Sequence, residues 1–278
     1  MTTLRQHLDH AHQQLAAAGV DSAHADAHTL AAWVLGIPRT HLGFYEHLSA
    51  YQAHHYHTLV SQRCQRIPLQ YLLGHAWFGP VELHVGPGVF IPRPETEALL
   101  EWAYSCPVSS QGLIVDLCTG SGALALALAT HYPHAQVIGL DDSPVALQYA
   151  KGNCAHTGVQ LWQGDVCDEG ILSEFSDQVE LVVANPPYLL TGERLSTEVS
   201  CYEPAHALFG GPDGMQIIIP TLRLAQRLLV SGGWVGLEHD PSCAEAIITF
   251  LEDMGCFTQI CSRVDWVGRH RFVTACRR

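Results

Sequence analysis

The chain has 278 residues, 47 % of them apolar, with a mean hydropathy of +0.09, which leaves room for one large α/β domain with a substantial core plus a small extra one. No apolar run approaches the roughly 20 residues of a membrane span, and residues 1–20 lack the hydrophobic core of a signal peptide, so a soluble, cytoplasmic chain is expected. The 14 Lys and Arg stand against 27 Asp and Glu, a net charge of −13, which argues against a dedicated nucleic-acid binder drawn to phosphate at long range.

Thr3-x-x-Gln6 is a capping-box pattern, and Leu4, Leu8, Ala11 and Leu15 follow it at helical spacing until Gly19. A second helix starts at Asp21 or Ser22 and runs to Gly36, where Pro38 interrupts. A third begins near Ser49, with Ala53, Tyr56, Val60, Cys64 and Ile67 predicted along its buried face. With the short helix Pro68–Gly74 these make an all-α unit over residues 1–74, whose expected use is to hold a partner. Val81, Leu83 and Val85 then alternate with polar residues as a strand, and after Gly86-Pro87-Gly88 the run Val89–Ile91 is expected to return as its hairpin partner. This predicts a hairpin linker over 75–92. Pro94 suits the first position of a helix to Trp102.

From residue 113 strands and helices alternate. Strands are predicted at 113–117, 136–140, 159–163, 179–184, 234–238, 257–264 and 271–275, with helices at 123–129, 144–155, 215–229 and 244–254. Pro220 inside the third of these helices predicts a kink or a late start. Repeated βα units make a doubly wound, mostly parallel seven-stranded sheet in the domain 93–278. The last connection, through Gly268, is too short for a crossover helix, so the C-terminal pair must be an antiparallel hairpin.

Ten scattered cysteines without a C-x-x-C pair read as reduced, mostly buried thiols. Eighteen histidines include His24 and His28 at i, i+4 spacing and the group His54, His55 and His57; with no Cys or carboxylate converging on them, solvated helix faces are expected and no metal site.

The candidate chemistry lies at strand ends, where open α/β sheets bind ligands. The first βα turn reads Asp116-Leu117-Cys118-Thr119-Gly120-Ser121-Gly122, and its glycines let a ligand approach the backbone closely. Asp141 ends the next strand about 20 residues on, where a carboxylate can take both ribose hydroxyls. Asp165, after Gly164, ends the third strand, where an adenine edge would lie if the ribose sits on Asp141. Gly120-x-Gly122-x-x-Ala125 also matches the loose dinucleotide fingerprint, which makes NAD a rival. An aspartate just before the glycines repels a pyrophosphate but suits an amino-acid ammonium, and three successive strand-end aspartates favour S-adenosylmethionine. The strand 179–184 runs into Asn185-Pro186-Pro187-Tyr188, a corner stiffened by two prolines. The Asn185 side chain and a backbone carbonyl can accept from a planar nitrogen-bearing group there, with Tyr188 over its face.

With these residues in place the sequence resembles the class I methyltransferases and, within them, the release-factor glutamine N5-methyltransferases (HemK/PrmC type). The resemblance covers nearly the whole chain. It includes Ile67–Gly74, Gly88–Glu97 with Pro92-Arg93-Pro94-Glu95-Thr96-Glu97, Asp116–Gly122, Asn185–Tyr188, and Tyr202–Gly214 with Leu208-Phe209-Gly210-Gly211. It implies transfer of a methyl group from S-adenosylmethionine to the side-chain amide of the Gln in the Gly-Gly-Gln loop of peptide chain release factors, with no direct nucleic-acid or membrane partner. It further implies that Cys118 to Gly122, Asp141 and Asn185 line the cofactor, with Val166 near the adenine, and that Asn185, Pro186, Pro187 and Tyr188 hold the glutamine. Asn-Pro-Pro-Tyr is shared with adenine-N6 and guanine-N2 methyltransferases, so an amino-methyltransferase of nucleic-acid bases is the alternative. Two departures from the family pattern stand out: Cys118 where glycine is common, and Asp240 to Cys243 after Glu238-His239.

Overall fold

The computed structural model describes residues 2–278, which group into two compact units: residues up to 75 with Leu195–Tyr202, and residues 76–194 with 203–278. In the helical unit, α1 (Leu4–Ala17) opens on the reciprocal Thr3–Gln6 cap, so donors of its first turn find partners, and Gly19 behind it sits at φ +75°. Helix α2 (Ala23–Leu35) closes on Gly36 in the left-handed conformation, and α3 (Ala50–Cys64) opens on a second reciprocal cap between Ser49 and Gln52. The short α4 (Leu69–Leu73) follows Pro68. Leu15, Leu30, Tyr56 and Val60 centre the core, and the Tyr56 hydroxyl donates to the Ala27 carbonyl at 3.1 Å.

The buried face of α3 differs from expectation. Tyr56 and Val60 are buried, but Leu59 and Arg63 join them, while Ala53, Cys64 and Ile67 are only half-buried. The face turns because the Arg63 guanidinium is drawn inward: Nε donates to Asp26 Oδ2 at 2.8 Å and Nη2 to Glu198 Oε1 at 3.0 Å. Glu198 lies on a short helix, Thr197–Tyr202, that belongs to this unit although it follows the prolyl corner in sequence. Arg66 also donates to Glu198, from Nε at 2.6 Å, and the Tyr202 hydroxyl donates to the Gln65 carbonyl at 2.6 Å.

In the larger unit the hairpin is not the expected one. It pairs β1 (His75–Phe78) with β2 (Val81–His84), turning through Gly79 at φ +49° and Pro80. Val89–Ile91 is not a strand; the Ile91 N–H is claimed by the Glu203 carboxylate at 3.2 Å instead of by a neighbouring chain. A 3₁₀ turn at Pro94–Thr96 leads into α5 (Glu97–Tyr104). Next come β3 (Leu113–Leu117), α6 (Ala123–His131), β4 (Gln136–Asp141), α7 (Pro144–Asn153), β5 (Gln160–Gln163) and β6 (Val179–Ala184). With Thr197–Tyr202 counted as α8, the chain ends through α9 (Ile218–Leu228), β7 (Leu229–Glu238), α10 (Ala244–Asp253), β8 (Phe257–Val264) and β9 (His270–Arg277). Pro220 falls in the first turn of α9, where its missing N–H costs nothing, so the helix starts late rather than kinks.

The seven strands lie in the order β5-β4-β3-β6-β7-β9-β8, parallel up to β7 and antiparallel through β9 and β8, as the short last connection requires. Strands β3 and β6, the middle of the parallel part, are almost wholly buried, with Val115, Leu117, Val182 and Ala184 in one core with Ile218 and Leu222 of α9. All ten thiols are free, but only four, Cys106, Cys154, Cys243 and Cys276, are buried; Cys167 on a loop, Cys201 on the short helix Thr197–Tyr202 and Cys261 on the strand Phe257–Val264 are exposed. Among the described residues, no helix is long and apolar enough to cross a membrane, and no group of His, Cys, Asp and Glu has the geometry of a metal site.

Candidate active site

Parallel pairing places the candidate residues together. Leu117 at the end of β3 sits opposite Leu140 of β4 and Ala184 of β6. Asp141 in turn pairs with Gln163 at the end of β5. The glycine turn, Asp141, Asp165 and the prolyl corner therefore leave the same edge of the sheet, about 4.8 Å apart per strand.

The turn after β3 is tightly wound. Cys118 sits at φ +59°, Gly120 at +57° and Gly122 at +82°, so three residues in five occupy the left-handed region. Cysteine thus takes a conformation glycine adopts freely, and the turn forms without the glycine common here in the family. Asp116, 1 % exposed, holds the turn: its Oδ2 accepts from the Thr119 hydroxyl and from the Ala125 N–H at 3.0 Å. Its Oδ1 has no hydrogen-bond partner among the described residues. Burial pushes the Asp116 carboxyl up to about 7 despite those two donors. Asp141 accepts the Gly120 N–H at 2.8 Å and the Ser143 N–H at 2.9 Å, and burial raises its carboxyl as well. Next to the turn, burial and then the charges of Asp141, Asp116, Asp142 and Asp165 drive the Cys118 thiol up. Four acidic side chains around one backbone turn favour a cation there and disfavour a diphosphate. A methyl group built on Gly120 would meet nothing within 4 Å, so its exposed side is open for a ligand. Asp165 accepts the Cys167 N–H at 2.8 Å, and Val166 behind it is buried.

At the prolyl corner, Asn185 is half-buried and Pro186 buried. Asn185 Nδ2 donates to the Thr96 hydroxyl at 3.2 Å, which turns the amide oxygen the other way. The Tyr188 hydroxyl donates to Glu238 Oε1 at 3.0 Å, which tethers the ring at its far end. Glu238 ends β7 with 1 % exposure, and burial lifts its carboxyl to about 7 against the Thr96 and Tyr188 hydroxyls and the Arg271 charge.

Several supporting residues are marked in the sequence only by the family resemblance, which gives them no physical role. The chain after Leu208 folds back on the corner: Leu189 N–H donates to the Leu208 carbonyl at 2.9 Å and Gly210 N–H to the Leu189 carbonyl at 2.8 Å. A Cβ on Gly210 would lie 2.6 Å from the Pro187 carbonyl oxygen, and one on Gly214 would lie 2.5 Å from that of Tyr188. These glycines let two backbones touch, which is what the Leu208–Gly214 block does physically. Arg93 forms an ion pair with Glu203, which is 7 % exposed and also holds Ile91, so the Pro92–Glu97 and Tyr202–Gly214 blocks are tied to each other. The unusual Asp240–Cys243 stretch is accommodated. Asp240 caps the following turn by accepting the Ser242 N–H at 2.9 Å, and Cys243 is buried against Gly214.

A sheet of this order, with a glycine turn after its central strand, is the fold of the class I methyltransferases. A 16S rRNA guanine-N2 methyltransferase (RsmC) of Thermus thermophilus, solved with AdoMet and guanosine, superposes with a TM-score of 0.53 at 21 % identity, over 73 % of this chain and 50 % of that one. A model described as the PrmC N-terminal domain matches residues 6–74, and one described as the methyltransferase small domain matches residues 85–200. The chain is 50 % identical to the release factor glutamine methyltransferase of Mycolicibacterium smegmatis, over 100 % of this chain and 99 % of that protein. It is 47 % identical to that of Mycobacterium tuberculosis H37Rv, over 99 % and 92 %. The chain belongs to the release factor glutamine methyltransferases.

Proposed function

We propose that this enzyme methylates the side-chain amide nitrogen (N5) of the glutamine in the Gly-Gly-Gln loop of peptide chain release factors, with S-adenosylmethionine as donor. The observation that carries the reading is the register of β3 and β6, which sets Asn185 one strand spacing from the glycine turn with its amide already oriented by Thr96.

The residues suit that cofactor. The ring of carboxylates and the unpartnered, buried Asp116 Oδ1 fit an ammonium and a sulfonium and do not fit a pyrophosphate. Asp116 and the turn Cys118, Thr119, Gly120, Ser121 and Gly122 would hold the amino-acid end, Asp141 the ribose, and Asp165 with Val166 the adenine. When bound, the cofactor supplies a methyl group already activated on sulfur, so no acid–base pair is needed for attack. Asn185 Oδ1 and the Pro186 carbonyl accept the two hydrogens of the incoming NH₂. That favours the amide orientation and pyramidal nitrogen whose lone pair faces the methyl. As positive charge builds on nitrogen, these fixed dipoles stabilise it more than the neutral amide. Pro187 keeps the corner rigid, and Tyr188, tethered at its hydroxyl, covers the amide plane.

Mass spectrometry of a release factor after incubation with enzyme and cofactor tests the reading: one methyl is expected on the Gly-Gly-Gln glutamine. Transfer of tritium to DNA or rRNA in place of the release factor would overturn it in favour of a base methyltransferase. Calorimetry should show binding of S-adenosylhomocysteine and none of NAD.

A further inference from the structure

Beneath Asn185 and Tyr188 lies a polar chain that the reaction as described does not use. It runs from Asn185 Nδ2 to the Thr96 hydroxyl, and from the Tyr188 hydroxyl to Glu238. Thr96 is 4 % exposed and Glu238 1 % exposed, so water does not compete for either. Glu238 Oε2 has no hydrogen-bond partner among the described residues, and the nearby Thr96 hydroxyl favours the charged form of this carboxyl. A buried carboxylate oxygen left without a donor is costly. One hydroxyl proton is available to meet that need.

We infer that Thr96 and Glu238 form a directional hydrogen-bond relay that sets which end of the Asn185 amide faces the substrate, with both acting as positioning residues. The inference rests on the function proposed above. With Glu238 ionised, the Thr96 proton points to its carboxylate. The Thr96 lone pair then accepts Asn185 Nδ2, and Asn185 Oδ1 is presented as an acceptor to the glutamine NH₂. Tyr188 donates to the other oxygen of the same carboxylate, so one anion orients both side chains. With Glu238 protonated, its hydroxyl donates to Thr96. The Thr96 proton turns to Asn185 and the amide flips, presenting NH₂ to NH₂. No bond between heavy atoms changes; one proton is taken up from solvent to form an O–H bond on the carboxylate.

The groups facing Glu238 bias this switch in both directions. The Tyr188 hydroxyl from the prolyl corner, the Thr96 hydroxyl from the turn before α5 and Arg271 from β9 favour the anion. Glu95, on the same turn as Thr96, disfavours it, and burial outweighs them all. The neighbouring His239, whose own pKa burial lowers, is held through Nδ1 by the Asp240 carbonyl at 2.8 Å. The balance leaves the carboxyl at about 7, where modest pH changes reset the relay.

The test compares Thr96→Val, Thr96→Ser and Glu238→Gln with wild type, measuring kcat at saturating cofactor and release factor from pH 6 to 9. Wild-type kcat should rise with pH through about 7. Glu238→Gln should be pH-independent across that range and on the order of tenfold slower or more at the plateau, because its amide NH₂ imitates the protonated acid. Thr96→Val should be slowed to a similar degree with unchanged affinity for S-adenosylhomocysteine, and Thr96→Ser should recover. A Thr96→Val enzyme as fast as wild type, or one that loses cofactor affinity and thermal stability together, would overturn the relay. So would a Glu238→Gln enzyme with the wild-type pH profile. Infrared titration supplies a second readout without substrate, using the carboxyl band that Glu238→Gln removes. Thr96→Val and Tyr188→Phe should each raise its midpoint, since each removes a donor to the anion; an unmoved midpoint in Thr96→Val overturns the relay. If wild type fails to methylate a release factor, the proposed function falls while the infrared titration still decides the relay.

Discussion

Gly210→Ala should cripple turnover while leaving the cofactor site intact. Its Cβ would stand 2.6 Å from the Pro187 carbonyl oxygen, 2.7 Å from that of Gly214 and 2.9 Å from Tyr188 Cα. All three are backbone atoms, so no side chain can swing aside. Gly210 itself cannot retreat without loosening its N–H bond to the Leu189 carbonyl (2.8 Å) or the bond its carbonyl accepts from Gln216 (2.9 Å). Ordinary contact begins near 3.4 Å, so the prolyl corner must move by about 0.5–0.8 Å. Displacing reacting groups by about 1 Å can cost roughly 10²-fold in rate, so a fall in kcat of about 30- to 100-fold is expected. The glycine turn stands on β3 and is held by Asp116 and Asp141, not by this loop, so S-adenosylhomocysteine affinity should change by less than about threefold. Single-turnover transfer of tritiated methyl to a release factor, with calorimetry of the product cofactor and circular dichroism of the fold, separates the two effects. A folded variant with wild-type turnover would refute the claim that the loop buttresses the corner.

Asn185→Ala should lower kcat by roughly 10² or more with a much smaller loss of cofactor affinity, checked by the same assays. Asp116 and Glu238 are both pushed up to about 7 in the fold. Carboxyls raised in this way stabilise most below their unfolded pKa, and that contribution is lost as pH rises through the folded one. Their share of the melting temperature of the ligand-free enzyme should therefore decline from about pH 4 to about pH 8, and Asp116→Asn should flatten the slope in calorimetric scans; an unaltered slope would count against its burial as the cause. In the helical unit, Arg63→Met leaves the buried Asp26 without its cation and Glu198 with Arg66 alone. Denaturant unfolding should show a loss on the order of 3–5 kcal/mol.

Local signals carried far into this fold. Reciprocal caps at Thr3 and Ser49, left-handed glycines at 19 and 36, and strands bounded by turn residues act over a few positions, so they are legible where they stand. Strand β6 ends where two prolines forbid further pairing, and β9 runs antiparallel because no crossover fits the connection. The hairpin failed the same test for a related reason. Val81–Val85 and Val89–Ile91 both have strand-like patterns, but the second is taken by a carboxylate more than a hundred residues away. Burial of Arg63 was equally invisible, since its two anions lie on other helices, one of them far along the chain.

The candidate site divides along the same line. The amino-acid sequence by itself determined the chemical inventory: a glycine turn led by an aspartate, carboxylates at successive strand ends, and an amide on a rigid prolyl corner. Those depend on covalent restriction and on parallel strands sharing one edge. Only the tertiary structure decided how the inventory is aimed. The Thr96 hydroxyl that turns Asn185, the Glu238 carboxylate that holds Tyr188, and the glycines at 210 and 214 that let backbones meet all come from distant parts of the chain. Their roles rest on hydrogen bonds and close contacts that exist only after the sheet has formed.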